Sequence, residues 1–181
     1  MDDLAQLACL IRRRNQLEQE ITALIKRPAQ IGHLGEYIAA RIFSIALEQS
    51  AAHKGFDGRF TDGPLHGRTV NVKWYARWEC LLDINSLDLP DYFLVLAGPK
   101  SPAASSHGQT RSWLIDHVFL FDAPQLVEQL RHRGVKIGIA TSIRQQFWTD
   151  AEIYPQQRSV LLVLSDEQRT MLMLFGSAIY A

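Results

Sequence analysis

Residues 31–48 read I-G-H-L-G-E-Y-I-A-A-R-I-F-S-I-A-L-E, and they are followed by F-D-G-R-F-T (56–61) and T-V-N-V-K (69–73). At about 100° per residue the first run is an amphipathic helix. Ile31, Leu34, Ile38, Ile42 and Ile45 form its core stripe, and His33, Tyr37, Arg41, Ser44 and Glu48 gather on a polar arc. Glu36 belongs to neither, lying among Gly32, Ala40, Phe43 and Leu47. A carboxylate in such surroundings requires a cation or a hydrogen-bond donor. Period-two alternation sets Phe56 and Phe60 on one face of the second run, with Asp57, Arg59 and Thr61 on the other. In the third run Val70 and Val72 face one way, and Thr69, Asn71 and Lys73 the other. Antiparallel pairing through the turn-rich T-D-G-P-L-H-G-R (61–68) brings Asp57 beside Asn71 and Lys73, with Glu36 meeting them between helix and sheet. Singly, each strand residue has an ordinary reading: Asp57 before Gly58 as a turn residue, Lys73 as a solvent-facing lysine, Asn71 bonded to nearby backbone. Their shared order and facing point to a site.

The order of a helix Glu, a strand Asp and a strand x-V-K resembles the PD-(D/E)XK nuclease superfamily over residues 31–98. The resemblance implies an α/β protein with a restriction-endonuclease-like α-β-β-β-α-β core, a mixed sheet flanked by helices. It implies Mg²⁺, or Mn²⁺ in its place, held by Asp57, the Asn71 side-chain oxygen and the Val72 carbonyl. Lys73 would orient the attacking water or stabilise developing charge, Glu36 would support the metal, and DNA would be the substrate. The chain departs from the family at Asn71, where Glu, Asp or sometimes Gln is usual; an amide oxygen ligates a hard cation without adding charge. The alternative is a nuclease-like scaffold without catalysis that binds nucleic acid or a protein partner. Divalent-metal binding discriminates between the two.

Beyond this stretch, W-Y-A-R-W-E-C (74–80) interleaves aromatics with cations. Trp74, Tyr75, Arg77 and Trp78, together with Arg68, are candidates for stacking on bases and gripping phosphates. Large aromatics at a strand end equally well fill a core. Glu79 and Asp83 are the nearby acids that could replace the charge missing at Asn71. Residues 91–98 read as a buried central strand, 99–110 as a flexible loop and 112–121 as a further strand. Asp122, Pro124 and Gly134 bracket a helix, 136–141 reads as a short buried strand, and 145–155 is ambiguous. Ser165 and Gln168 form a capping box for a last helix that Gly176 stops.

Upstream, residues 3–27 form a long amphipathic helix on Leu4, Leu7, Ile11, Leu17, Ile21, Leu24 and Ile25, ended by Pro28. Its stripe is expected to be buried on its own domain or against a second copy in a homodimer. Arg12, Arg13 and Arg14 read as a solvated face, or more sharply as phosphate contacts. The organisation expected is thus a helix over 1–27 and one domain over 28–181.

The 181 residues balance 19 Lys and Arg against 19 Asp and Glu, so no global field draws the chain onto nucleic acid and phosphate binding falls to local patches. Cys9 and Cys80 form no C-x-x-C pair, which with the acidic M-D-D-L-A-Q start leads us to expect a reduced, cytoplasmic protein without a secretory leader. No apolar run approaches membrane-spanning length. The six histidines are scattered without zinc-site spacing, His33 reads as solvated, and Gly-rich phosphate loops are absent.

Overall fold

The computed structural model describes residues 3–48, 55–100 and 110–180. The loop expected over 99–110 therefore lies, from 101 to 109, outside the described residues. A six-stranded sheet in the order β1-β2-β3-β5-β6-β8 forms the centre, built from β1 (Ile45–Leu47), β2 (Gly58–Phe60), β3 (Thr69–Tyr75), β5 (Tyr92–Ala97), β6 (His117–Asp122) and β8 (Glu152–Tyr154). Only β3 and β5 run parallel; every other neighbouring pair is antiparallel. A two-stranded ribbon pairs β4 (Leu81–Leu82) with β7 (Thr141–Ser142).

Alternation along β3 and β5 divides the interior into two layers. Val70, Val72, Trp74, Leu94 and Leu96 face a layer covered by α2 (Ile31–Ile42) and α5 (Asp166–Met173). Phe93, Val95 and Ala97 face the other, covered by α3 (Ala123–His132) and α4 (Gln145–Ala151). With both faces occupied, the continuous apolar run of β5 is buried as a central strand must be. The sheet is thus mixed α/β and mostly antiparallel, flanked by helices. β1, β2 and β3 form a meander, and β5 joins it in parallel after residues 76–91. The resemblance implies a helix in that crossover; here it holds β4 and irregular chain.

Several expectations change. The helix expected over 31–48 stops at Ile42, because Phe43 caps it, Ser44 takes φ +53° and residues 45–47 pair with β2. The Gln168 side-chain amide donates to the Ile42 carbonyl at 2.8 Å, so α5 satisfies one of the groups that the helix end exposes. Ser44 and Glu48 accordingly leave the polar arc. The strand expected over 136–141 shrinks to β7, and Ile139 projects from a turn with 92% exposure. The ambiguous 145–155 stretch divides into α4 and β8, and the strand expected over 112–121 begins only at His117. The bracketed helix and the capping box form as expected. Asp122 accepts the Gln125 N–H at 2.9 Å, and Ser165 and Gln168 bond reciprocally.

The N-terminal helix is α1 (Asp3–Ile25), and Ile25 is its one buried residue. Leu4, Leu7, Leu10, Ile11, Leu17 and Leu24 are between 48% and 71% exposed. Burial of the stripe on its own domain is therefore corrected among the described residues: α2, α5, α3 and α4 cover the sheet, and the α1 stripe apart from Ile25 is not packed into either core. No helix among the described residues is long and apolar enough to cross a membrane.

Candidate active site at the opening between two strands

β2 is short and β3 is long. The two pair at Gly58–Val70 and Arg59–Thr69, after which β3 runs on alone along that edge. Asp57 stands at this opening. Its N–H donates to the Val70 carbonyl and its carbonyl accepts from the Glu48 N–H, both at 2.9 Å, so neighbours on either side hold its main chain. Its carboxylate then takes the Val72 N–H at 2.7 Å, in place of the strand partner that β2 no longer supplies. A strand residue sends its N–H and C=O to the same side, so the Val72 carbonyl faces this gap too. Gly58 is not a turn residue. A Cβ there would meet the Ala46 carbonyl oxygen at 2.5 Å, so glycine permits β1 to approach closely.

Burial pushes the Asp57 carboxyl up to about 6; the Val72 N–H opposes this, Glu36 adds to it, and Lys73 and Arg27 oppose it. Burial likewise pulls the Lys73 ammonium down, against the pull of Asp57 and Asp83. Asp57 thus feels Glu36 from α2 and Lys73 from β3, but Lys73 alternates with Val72 and Trp74 and lies over the Phe93 ring, on the sheet face away from α2. The partner of Glu36 is nonetheless Arg27, which forms an ion pair with its carboxylate. Sequence reasoning missed this residue; the signal was a cation just beyond the first helix, nine positions before the half-buried acid. Asp83 is the other neighbour. Its carboxylate accepts the Ala140 N–H at 2.7 Å, and its own N–H donates to the Tyr75 hydroxyl at 3.0 Å. Glu79 instead lies 3.6 Å from Arg111.

Asn71 carries the most informative feature. Its side-chain oxygen is buried and has no hydrogen-bond partner, an arrangement that costs about 1–3 kcal/mol unless something meets it. The expected backbone bond to Asn71 is absent for this atom. The Asp57 carboxylate, the Asn71 amide oxygen and the Val72 carbonyl are all hard oxygen donors, a set that suits Mg²⁺ or Mn²⁺ over softer metals. Among the described residues no three His, Cys, Asp or Glu side chains are grouped to hold a metal. The residues fit an ion that keeps several waters and gains ligands from a phosphate, as Mg²⁺ commonly does.

The aromatic–basic segment is corrected. Trp74 is buried at 7% exposure in the α2 layer, its indole N–H donating to the Leu114 carbonyl at 3.0 Å. Trp78 is buried in the opposite layer, its ring centroid 4.8 Å from that of His117 and 4.9 Å from that of Phe119. Alternation alone would set residues four apart on one face; the division arises because β3 ends at Tyr75 and irregular chain carries Trp78, bridged to Lys100, into the opposite layer. Neither offers a face for a base. Tyr75 is half-buried against Asp83, and burial raises its hydroxyl well above the usual range. Arg68 pairs with Asp91 at 3.3 Å. Arg77 and Arg111 line one shallow groove with Pro99 and Leu114, which keeps Arg77 near the surface. His33 meets the Pro28 carbonyl through Nδ1 at 3.0 Å and takes no part in the site. No protein-family model matches the sequence, and no curated protein matches it either.

Proposed function

We propose that the chain is a Mg²⁺-dependent nuclease that hydrolyses phosphodiester bonds of DNA. Its site would be Asp57, Asn71, Val72 and Lys73, with Glu36 as the supporting carboxylate. One observation carries this reading: the buried, unpartnered Asn71 oxygen lies on the strand whose Val72 N–H binds a buried Asp57, with Lys73 in the same field. The meander followed by parallel β5 supports the restriction-endonuclease-like fold on which the reading rests. The partner that goes with it is DNA, in the cytoplasm.

A divalent ion held by Asp57, Asn71 and Val72 would lower the pKa of a water and offset charge on the phosphate. Lys73 would orient the attacking water and stabilise the charge that grows on the phosphoryl oxygens. Water oxygen bonds to phosphorus as the bond to the leaving oxygen breaks, and the leaving oxygen takes a proton. Arg77 and Arg111 would receive a neighbouring backbone phosphate. The rival scaffold reading has its own support. Asp57 is the one strand acid at the opening, and Glu36 is engaged by Arg27.

Incubating duplex DNA with the purified chain tests the proposal. Cleavage is expected with Mg²⁺ or Mn²⁺ and not with chelator, and Asp57→Ala and Lys73→Ala should each lower the rate by about a thousandfold. Cleavage that persists in both variants belongs to a contaminant. Its absence from the wild type leaves the scaffold.

A further inference from the structure

Among the described residues, Leu7, Leu10, Leu17 and Leu24 leave the apolar face of α1 exposed, and the helix carries its own description of what covers it. Most helical stability in proteins comes from packing an amphipathic face rather than from propensity. Leu7, Leu10, Leu17, Ile21 and Leu24 recur at alternating three- and four-residue steps, completed by Arg14 where a further apolar residue would stand. That is a heptad seam of the kind that pairs helices. We propose that α1 packs antiparallel against α1 of a second copy, making the chain a homodimer. This stands independently of the nuclease reading.

The charges select both the occupant and the direction. Arg12, Arg13 and Arg14 make the first half of the helix basic, while Glu18 and Glu20 make the second half acidic. Arg13 and Glu20 flank the seam on the same side, seven residues or two turns apart. An antiparallel pair about its own two-fold axis sets Arg13 against the partner's Glu20 and repeats the contact by symmetry. The same register places Leu7 against the partner's Leu24, Leu10 against the partner's Ile21 and Arg14 against the partner's Leu17. Arg14 keeps its own counter-ion, Glu18, at 2.8 Å. A parallel pair would instead stack Arg14 on its own copy within the seam, which like charges oppose.

Sedimentation of the full chain at micromolar concentration tests this, with circular dichroism to confirm that each variant is folded. The wild type is expected to be a dimer. Leu10 is 52% exposed in the single chain and meets an apolar residue of the partner in this register, so Leu10→Glu should leave the body folded and weaken dimerisation by more than about a hundredfold. Arg13→Glu should weaken it about tenfold, and the pair Arg13→Glu with Glu20→Arg should restore it. A parallel dimer would not be rescued, because Glu at position 13 would then face the partner's Glu18. A monomeric wild type, a dimer indifferent to Leu10→Glu, or a double variant as weak as the single would each overturn the proposal.

Discussion

Asparagine in place of Asp57 is expected to stabilise the metal-free protein at pH 8 and to leave it unchanged at pH 4. The folded chain raises the Asp57 carboxyl from 3.8 to about 6, chiefly by burial. It therefore holds that proton more tightly than the unfolded chain does, and the stability this confers is full below about pH 4 and declines as pH rises through about 6. Above that range the ionised group costs the fold about 2–3 kcal/mol. Asparagine retains an oxygen for the Val72 N–H and carries no charge. Urea unfolding of both proteins at the two pH values, without divalent ions, measures the difference. An equal effect at both values, or a loss at pH 8, would show that Asp57 is not held ionised at a cost. A residue kept against stability is a mark of a functional position.

The second large effect concerns Asn71. Asn71→Asp places a carboxylate where the unpartnered amide oxygen now lies. Without a metal it adds a like charge beside Asp57, raising both carboxyl pKa values and lowering stability at neutral pH by about 1–3 kcal/mol. With Mg²⁺ or Mn²⁺ the added charge should tighten binding by about tenfold to a hundredfold, since ligand charge tunes the affinity of hard cations. Thermal unfolding should therefore show the variant below the wild type in chelator and gaining more from saturating divalent ion than the wild type does. A variant that is less stable in chelator and gains nothing from the ion would place Asn71 outside any metal site.

The site was legible in the sequence where chemistry clashed with pattern. Glu36 stood among small and apolar residues, which demanded a partner. Strand alternation set Asn71 and Lys73 on one face of β3, while the Asp57 carboxylate binds the Val72 N–H at the strand's open edge. The identity of Glu36's partner was not legible, because Arg27 reaches it across the break between two helices. Residues 43–47 misled for a different reason. Isoleucine at 45 is buried in helix or strand alike, and short apolar runs do not distinguish the two periods. Pairing with β2 over long range decided the matter. The tryptophans at 74 and 78 were evenly balanced between core and surface until the two layers of the sheet were known. The isolation of α1 could not be read at all, because an amphipathic stripe has the same pattern whether it faces its own chain or another.

Calorimetric titration of Mn²⁺ into the wild type and Asp57→Asn tests the metal site most directly, without depending on a substrate. The wild type is expected to give a saturable one-site isotherm and Asp57→Asn none, because Asp57 supplies the strand charge at the opening. The absence of saturable binding to the wild type, or identical binding to both proteins, would contradict a divalent-ion centre at Asp57 and Asn71.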